Sequence, residues 1–574
     1  MTKELFASLA YTFLCIVAPL VADAQPIEYR GDRYVIHVDE LELDGDESLM
    51  DVLMMCPEVI TLDGRDALSD YDIRIDNINI GIDRESFLYH TKAREVGTIQ
   101  IAMNGVVAKG TDGVKGVIDV RYRNSAAESK VAVQGSTYGS GRIYTDMVRH
   151  DYKNHLTLSA TAIGNARYSK TYVYGPKQTT RSAIENLRLS AKWQLSERDS
   201  LQFNIIQGFD DTKTRIYDPD PIATPTIDRN IRFTTSYYHV FNDKGADMFT
   251  EGGYTHQNSN YYGYSATQDK VNSVYVLLES DLPVFCKDLW ALVGTENGYD
   301  NVHQIGNRRN QFMYNDIYLQ LDYKKGPWHI TVGDRFRMMN YWQRPYNAPS
   351  ADLWHYSRNH HGYLGSVAYK FNSKHTVQGS FAHHYYIPDI EEFYIPDKNT
   401  GRYNYNTDFR TRLAYVTEVK YTYQNKGLVI MGQFNNANFV DIQPSSYSLQ
   451  SVRGSAMWHK GIVRLTLGAA FFHRHDRGDN GADRTNTNYW QLKLIPSVNI
   501  TQQTRFTATL LYNTQRYIYN SVPYLYPDFT PNLYASARLS HSFTKHLNVY
   551  GDFQNIAGQK TGNRALIIGA TYNL

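Results

Sequence analysis

The stretch "TRLAYVTEVKYTY", residues 411–423, alternates apolar and polar side chains with a period of two. Its apolar face carries Leu413, Tyr415, Val419, Tyr421 and Tyr423, and its polar face carries Arg412, Glu418 and Lys420. Because successive side chains of a β-strand point to opposite faces, this pattern predicts a strand with one apolar side. A strand of this length crosses a bilayer when it is tilted.

The same alternation continues from about residue 125 to the end of the chain and closes with "RALIIGATYNL", residues 564–574. Short connections such as "KKGP" (324–327) and "QNKG" (424–427) alternate with long ones. The long connections are 167–180, 216–230, 343–353, 386–408 and 473–485. Alternation of short periplasmic turns with long external loops is typical of an outer-membrane barrel. We count about 22 strands over 125–574, which predicts an antiparallel transmembrane β-barrel with a lumen that must be filled.

The N-terminal part of the chain has a different character. Residues 1–24 combine an early lysine, an apolar core and small residues at Ala22 and Ala24, so we predict a cleaved secretory signal. Residues 25–124 mix strand and helix patterns: "YDIRIDNINI" (71–80) alternates, and "DESLMDVLMMCP" (46–57) predicts a short helix with Asp46 as N-cap. We interpret 25–124 as an α+β plug domain inside the barrel.

The stretch "MNGVVAKGTDGVKGVIDVRY", residues 103–122, contains four glycines. Gly105 and Gly110 have the spacing of a phosphate-binding loop, but Thr111 and Asp112 follow where that loop needs Lys and Ser/Thr. We therefore predict a structural role, in turns between plug strands, for Gly105, Gly110, Gly113 and Gly116.

Composition excludes several function classes. The 59 basic and 58 acidic residues give a net charge of +1, so no nucleic-acid partner is predicted. Outside the predicted signal only Cys56 and Cys286 remain, too few for a disulfide framework, and we interpret both as ordinary thiols. There is no G-x-S-x-G, H-E-x-x-H or C-x-x-C motif, so we predict neither an enzyme nor a cofactor or metal centre. His473 and His475 share one strand face, which leaves chelation open, although no third ligand is indicated.

Several segments resemble those of the TonB-dependent outer-membrane receptors. "TIQIAMNGVVAKGTDGVKGVIDV" (98–120) resembles the family's "I-E-V-x-x-G-P" and "G-G-V-I-N-I" stretch, and "SFAHHYYIPDIEEFY" (380–394) resembles its "P-x-L-x-E-L-Y" segment. The resemblance implies a Gram-negative outer membrane and its lipid, TonB as a periplasmic partner, and in some members a surface lipoprotein. Two features depart from the family: no TonB-contacting box is visible in residues 25–32, and Leu574 stands where a terminal Phe is common.

Ligand binding is expected at aromatic residues predicted in the long loops, because aromatic faces with polar neighbours suit a siderophore, glycan or peptide. These candidates are Trp342, Trp354, Tyr394, Tyr403, Tyr405, Tyr524 and Tyr526. The alternative for residues at strand ends is the aromatic girdle at the membrane interface. In the plug, Arg74 and Asp76 are expected to form ion pairs with the lumen wall. The first functional hypothesis, implied by the resemblance, is an outer-membrane receptor and transporter that binds a scarce nutrient at its external loops and imports it past the plug by TonB-dependent opening. The second is a barrel that has lost energised transport and serves as a subunit or scaffold of an outer-membrane complex.

Overall fold

The computed structural model describes most of the chain. The described residues are 27–30, 33–41, 47–54, 56, 71–75, 78–79, 87–88, 90–102, 116–123, 129–137, 139–172, 177–218, 220–242, 245–261, 267–304, 308–344, 354–386, 394–396, 403–405, 412–440, 447–477, 483–514, 532–554, 556 and 565–574. Among them, no helix has the length and apolar character that a membrane span requires.

A six-stranded sheet forms the N-terminal unit, which we call the plug. Its elements are β1 (Ile27–Arg30), β2 (Arg33–His37), α1 (Leu49–Leu53), β3 (Tyr71–Ile75), β4 (Ile78–Asn79), β5 (Val96–Ala102) and β6 (Gly116–Tyr122). The strand order is β1-β2-β5-β6-β3-β4, with β3 parallel to β6. The strand pattern of 71–80 is confirmed in β3 and β4, and "GVIDVRY" (116–122), which is rich in β-branched residues, forms β6.

Helix α1 begins two residues later than predicted. Ser48 is its N-cap, with the Asp51 backbone N–H donating to the Ser48 hydroxyl at 3.2 Å and the Ser48 backbone N–H donating to the Asp51 carboxylate at 2.9 Å. The prediction of Asp46 as N-cap was wrong, because this reciprocal capping box requires an acceptor three residues before an acidic side chain. Asp46 itself lies outside the described residues.

Twenty-two strands close into a barrel around the plug, which confirms the predicted number. The barrel strands are β7 (Lys130–Ser136), β8 (Gly141–Asp151), β9 (Leu156–Tyr172), β10 (Lys177–Gln194), β11 (Asp199–Asp218), β12 (Asp220–Val240), β13 (Asp247–Tyr261), β14 (Thr267–Pro283), β15 (Leu289–Gln304), β16 (Arg308–Lys325), β17 (Trp328–Arg344), β18 (Trp354–Lys370), β19 (His375–Tyr386), β22 (Arg412–Asn425), β23 (Leu428–Val440), β24 (Tyr447–Lys460), β25 (Val463–Arg477), β26 (Asp483–Asn499), β27 (Thr504–Asn513), β28 (Asn532–Ser542), β29 (Leu547–Gln554) and β30 (Ala565–Asn573). Between β19 and β22, a separate hairpin pairs β20 (Tyr394–Pro396) with β21 (Tyr403–Tyr405). Antiparallel pairing of β30 with β7 closes the wall, so the barrel has no sheet edge.

The predicted alternation holds along the wall. On β22, Glu418 and Lys420 are buried on the lumen side, whereas Val419 between them is 46% exposed on the exterior. Exterior side chains around the barrel are large and apolar. They include Ile143, Leu158, Leu189, Phe203, Phe233, Val276, Ile317, Val332, Val367, Phe381, Leu467, Leu492, Leu539 and Ile568. This apolar exterior matches the lipid-facing band of a transmembrane barrel.

The connections are shorter than predicted where the ladder extends beyond the expected strand ends. Tight turns at 326–327 and 426–427 match the predicted short connections. The connection expected over 216–230 is instead mostly ladder, since β11 continues to Asp218 and β12 starts at Asp220. Likewise, β9 and β10 pair as far as Tyr172 and Lys177 within the predicted loop 167–180. Pairing satisfies the backbone N–H and C=O groups of these polar segments, so the strands continue past the apolar band.

Tyrosine rings lie across glycines on the lumen face of the wall. Gly294 on β15 is covered by the ring of Tyr318 on β16, whose hydroxyl donates to Glu279 on β14 at 2.8 Å. The same arrangement pairs Gly298 with Tyr314, Gly253 with Tyr275, and Gly569 with Tyr550. The missing side chain lets each ring lie flat, so part of the high tyrosine content, 47 of 574 residues, reinforces the wall.

Replacing Gly294 by alanine is expected to destabilise the barrel by about 1–3 kcal/mol, the range for an overpacked site. The added Cβ would overlap Cζ of Tyr318 and displace the ring from Glu279. Guanidinium unfolding in detergent micelles, followed by tryptophan fluorescence, measures the loss. Gly379→Ala is the matched control, since a Cβ there meets nothing within 4 Å. Equal stability of the two variants would contradict the tyrosine–glycine interpretation.

Candidate functional site

The candidate site is the interface between the plug and the lumen wall. At its first anchor, Lys130 on β7 donates to both carboxylate oxygens of Glu95, at 2.7 and 2.8 Å. The two side chains are 2% and 1% exposed, so the pair is withdrawn from water. A carboxylate and an ammonium group can be buried together because each neutralises the charge of the other. This contact ties the plug to the strand where the barrel begins.

A second anchor holds the region of α1. Glu47 accepts from Arg464 on β25 at 2.5 Å and from Arg505 on β27 at 3.2 Å. Lys493 on β26 donates to the backbone carbonyl of Met54, just after the helix. Burial works against ionisation of the neighbouring Asp51 carboxyl, but Arg464 and the Ser48 bonds outweigh it and lower its pKa. The acidic side of the plug therefore faces a basic sector of the wall.

Apolar and aromatic contacts complete this side of the interface. The imidazole of His90 stacks on Tyr144 of β8 with ring centroids 4.8 Å apart. Burial, together with Arg142 and Lys130, holds the pKa of His90 well below its ordinary value, so the stacked ring is neutral. One apolar cluster joins plug side chains to lumen-facing wall residues. Its wall members are Ala132, Tyr144, Ile163, Ala368, Val429, Met431 and Met457.

A charged network lies in the wall across β15, β16 and β17. Asp316, which is fully buried, accepts from both Arg335 and Arg337, and Arg335 also donates to Glu296 at 2.7 Å. The guanidinium of Arg337 lies 4.7 Å from the ring centroid of Tyr314, a cation–π distance. Arg74 of the plug is within electrostatic range of Glu296. The network thus pairs buried charges of three adjacent wall strands.

Comparison with solved structures shows what this architecture is similar to. The copper transporter OprC matches over 97% of this chain and 100% of its own, with a TM-score of 0.73 and 10% identity. The ferric yersiniabactin uptake receptor FyuA from Yersinia pestis matches over 95% and 98%, with a TM-score of 0.70 and 12% identity. The siderophore receptor PiuA from Acinetobacter baumannii matches over 97% and 98%, with a TM-score of 0.67 and 11% identity.

The chain has the fold of the TonB-dependent outer-membrane receptors. No protein-family model and no curated protein matches it by sequence. At 10–12% identity the likeness concerns the fold and does not extend to the cargo. The closed wall of this receptor fold, with its apolar exterior, places the protein in the outer membrane. The neighbours are named as transporters or receptors, which is consistent with the prediction that the chain is not an enzyme.

The receptor fold positions some of the predicted plug residues. Arg74 lies in β3, and Gly116 is the first residue of β6. Asp76, Gly105, Gly110 and Gly113 lie outside the described residues, so their predicted roles stay predictions. Cys56 is buried in the plug core and Cys286 is exposed in the turn 284–288, each as a thiol.

The predicted ligand-contacting aromatics fall into three groups. Trp342 and Trp354 belong to β17 and β18, not to the loop between them, and Trp342 stacks on His355 at 5.2 Å. Their ladder continues further than the loop prediction allowed. Tyr394 and Tyr405 are paired across the β20–β21 hairpin, which brings Tyr403 onto the same element. Tyr524 and Tyr526 lie outside the described residues.

One of the two histidines on β25, His473, has a polar neighbour on β26. His473 and His475 lie on one face of that strand, as predicted, and Nδ1 of His473 is 2.7 Å from Oδ1 of Asn488. In the part of the chain that the structure describes, no group of three His, Cys, Asp or Glu side chains could hold a metal ion.

Sequence reasoning missed the plug anchors at Glu95, Lys130 and Glu47 and the buried wall carboxylate Asp316. A partial signal exists: Arg335 and Arg337 stand two residues apart on a predicted strand, which places both on one face. Their shared partner Asp316 is on another strand, and Glu95 is 35 residues from Lys130, so pairing depends on register and packing.

Proposed function

We propose that the protein is an outer-membrane receptor and transporter that binds a scarce nutrient at its external loops and admits it past the plug. The supporting observation is the plug itself, held in the lumen by buried ion pairs at Glu95 and Glu47. A lumen blocked in this way passes cargo only when those contacts break, and each buried pair costs several kcal/mol to break. Passage therefore requires an energy source, for which TonB on the periplasmic side is the proposed partner.

The ligand is proposed to be of siderophore, glycan or peptide type. The β20–β21 hairpin supports this, because it concentrates Tyr394, Tyr403 and Tyr405 on one short external element. Tyrosine offers a flat face and a hydroxyl, which serve stacking and hydrogen bonding to such ligands. A surface lipoprotein that assists capture is part of the same proposal.

Retention of the full-length protein on the immobilised periplasmic domain of TonB tests the proposal. We expect saturable retention, which free TonB domain competes away, and loss of cell-surface uptake in a strain without TonB. The ligand panel for uptake comprises ferric siderophores, oligosaccharides and short peptides. Absence of retention, with uptake unaffected by loss of TonB, would favour the alternative of a non-energised barrel serving as a subunit of an outer-membrane complex.

A further inference from the structure

Strand β1 is the edge strand of the plug sheet and pairs with β2 on one side only. Its other edge meets the side chain of Gln424 on β22. The Ile27 backbone N–H donates to Oε1 of Gln424 at 3.2 Å, and Nε2 of Gln424 donates to the Ile27 carbonyl at 3.1 Å. One amide side chain thus makes the pair of bonds that a neighbouring strand would make to that residue.

Both partners are buried. Ile27 is 1% exposed and Gln424 is 5% exposed. In such an environment, a backbone N–H and C=O that lose their partners bear the full cost of desolvation. The Gln424 contact is therefore specific in geometry and costly to lose while β1 remains in place.

A second polar contact between β1 and the wall is weaker in kind. Lys324 on β16 donates to Glu28 at 2.5 Å, but its side chain is 62% exposed. Ion pairs that are open to water contribute little, because solvent screens them. Gln424 therefore makes the stronger of these two polar contacts with β1.

The rest of the plug is held differently. Glu95 and Glu47 are anchored by buried cations, whereas the apolar core that the plug shares with the wall contains both α1 and Ile27 of β1. Because breaking a buried ion pair costs more than losing two neutral hydrogen bonds, the plug is fastened unevenly, with its first strand less secured than the regions of Glu95 and Glu47.

We propose that Gln424 is a positioning residue that fastens β1 to the wall, so that β1 leaves the wall before the Glu47 and Glu95 anchors break. The residue thereby sets how readily the plug begins to open. Its importance for transport rests on the proposed function, whereas the fastening itself does not.

Thiol labelling of the full protein in detergent micelles tests this. In a Cys286→Ser, Ile27→Cys background, one thiol reports on β1 and the buried Cys56 reports on the plug core. We expect Gln424→Leu to raise the labelling rate of the introduced thiol about 30-fold, the effect of two bonds of about 1 kcal/mol each, without changing the rate at Cys56. Gln424→Glu, which keeps the acceptor but loses the donor, is expected to give an intermediate rate.

Gln433→Leu is the matched control, because this buried glutamine on β23 donates to Glu418 within the wall. It should leave both thiols protected. An unchanged rate at the introduced thiol in Gln424→Leu would overturn the proposal, as would an equal rise at Cys56 or an equal effect of Gln433→Leu. A negative TonB-binding result beside selective labelling would defeat the proposed function alone.

Discussion

Replacing Asp316 by asparagine is expected to lower the free energy of unfolding of the barrel by about 3–5 kcal/mol, the range for a broken buried ion pair. Asp316 is the carboxylate that Arg335 and Arg337 share, and those side chains are 1% and 3% exposed. An asparagine preserves the shape but leaves two buried guanidinium groups facing a neutral amide. Guanidinium unfolding in micelles, followed by fluorescence, measures the change.

Asp211→Asn is the matched control for this prediction. Asp211 also pairs with a cation on a barrel strand, but its partner Lys213 is 61% exposed, so the loss should stay below about 1 kcal/mol. Adding Arg337→Met to Asp316→Asn should recover part of the stability, since it removes one of the two buried guanidinium charges that Asp316 neutralises. A double variant that is less stable than Asp316→Asn would show that Arg337 contributes mainly through its aromatic neighbours.

Replacing Glu95 by glutamine is expected to release the plug from the lumen wall while the barrel remains folded. The substitution removes the carboxylate to which the buried Lys130 donates, at a cost of about 3–5 kcal/mol. The plug core is shared with the wall, so unseating exposes Cys56, which is otherwise fully buried. In a Cys286→Ser background, the labelling rate of Cys56 should therefore rise at least about 100-fold, because 1.4 kcal/mol corresponds to a factor of ten.

Glu28→Gln serves as the control, because its partner Lys324 is mostly exposed and the pair adds little. Its Cys56 labelling rate should match that of the parent. Glu95→Leu combined with Lys130→Met restores a neutral pair and should return most of the protection. If Glu95→Gln alone leaves Cys56 protected, the apolar contacts rather than the ion pair hold the plug.

The barrel was predictable because its signal is repeated along the chain. In "TRLAYVTEVKYTY" the period of two assigns Glu418 to the lumen and Val419 to the lipid, and the structure confirms both. The ends of the strands were less predictable. The segment around Asp218 and Asp220 contains prolines and charges typical of a loop, yet it continues the ladder because pairing satisfies its backbone.

The site was predictable in type but not in its members. The ion pairs expected between the lumen wall and Arg74 and Asp76 stay predictions, and Arg74 is within electrostatic range of Glu296. The pairing of Gln424 with Ile27 bridges 397 positions, and no local pattern connects them. The N-cap of α1 is a second example. Ser48 and Asp46 are both suitable N-cap residues, and Ser48 takes the position because it forms reciprocal hydrogen bonds with Asp51.

The sequence by itself determined the membrane-spanning strands, their number and the side of the wall on which each residue lies, because alternation is a local property of the extended backbone. Only the tertiary structure decided which charges meet in the lumen and where the plug is fastened. Those contacts depend on closure of the barrel and on the register of strands far apart in the chain. Buried charges also had to find partners once water was excluded, and that requirement selected the pairs at Glu95, Glu47 and Asp316.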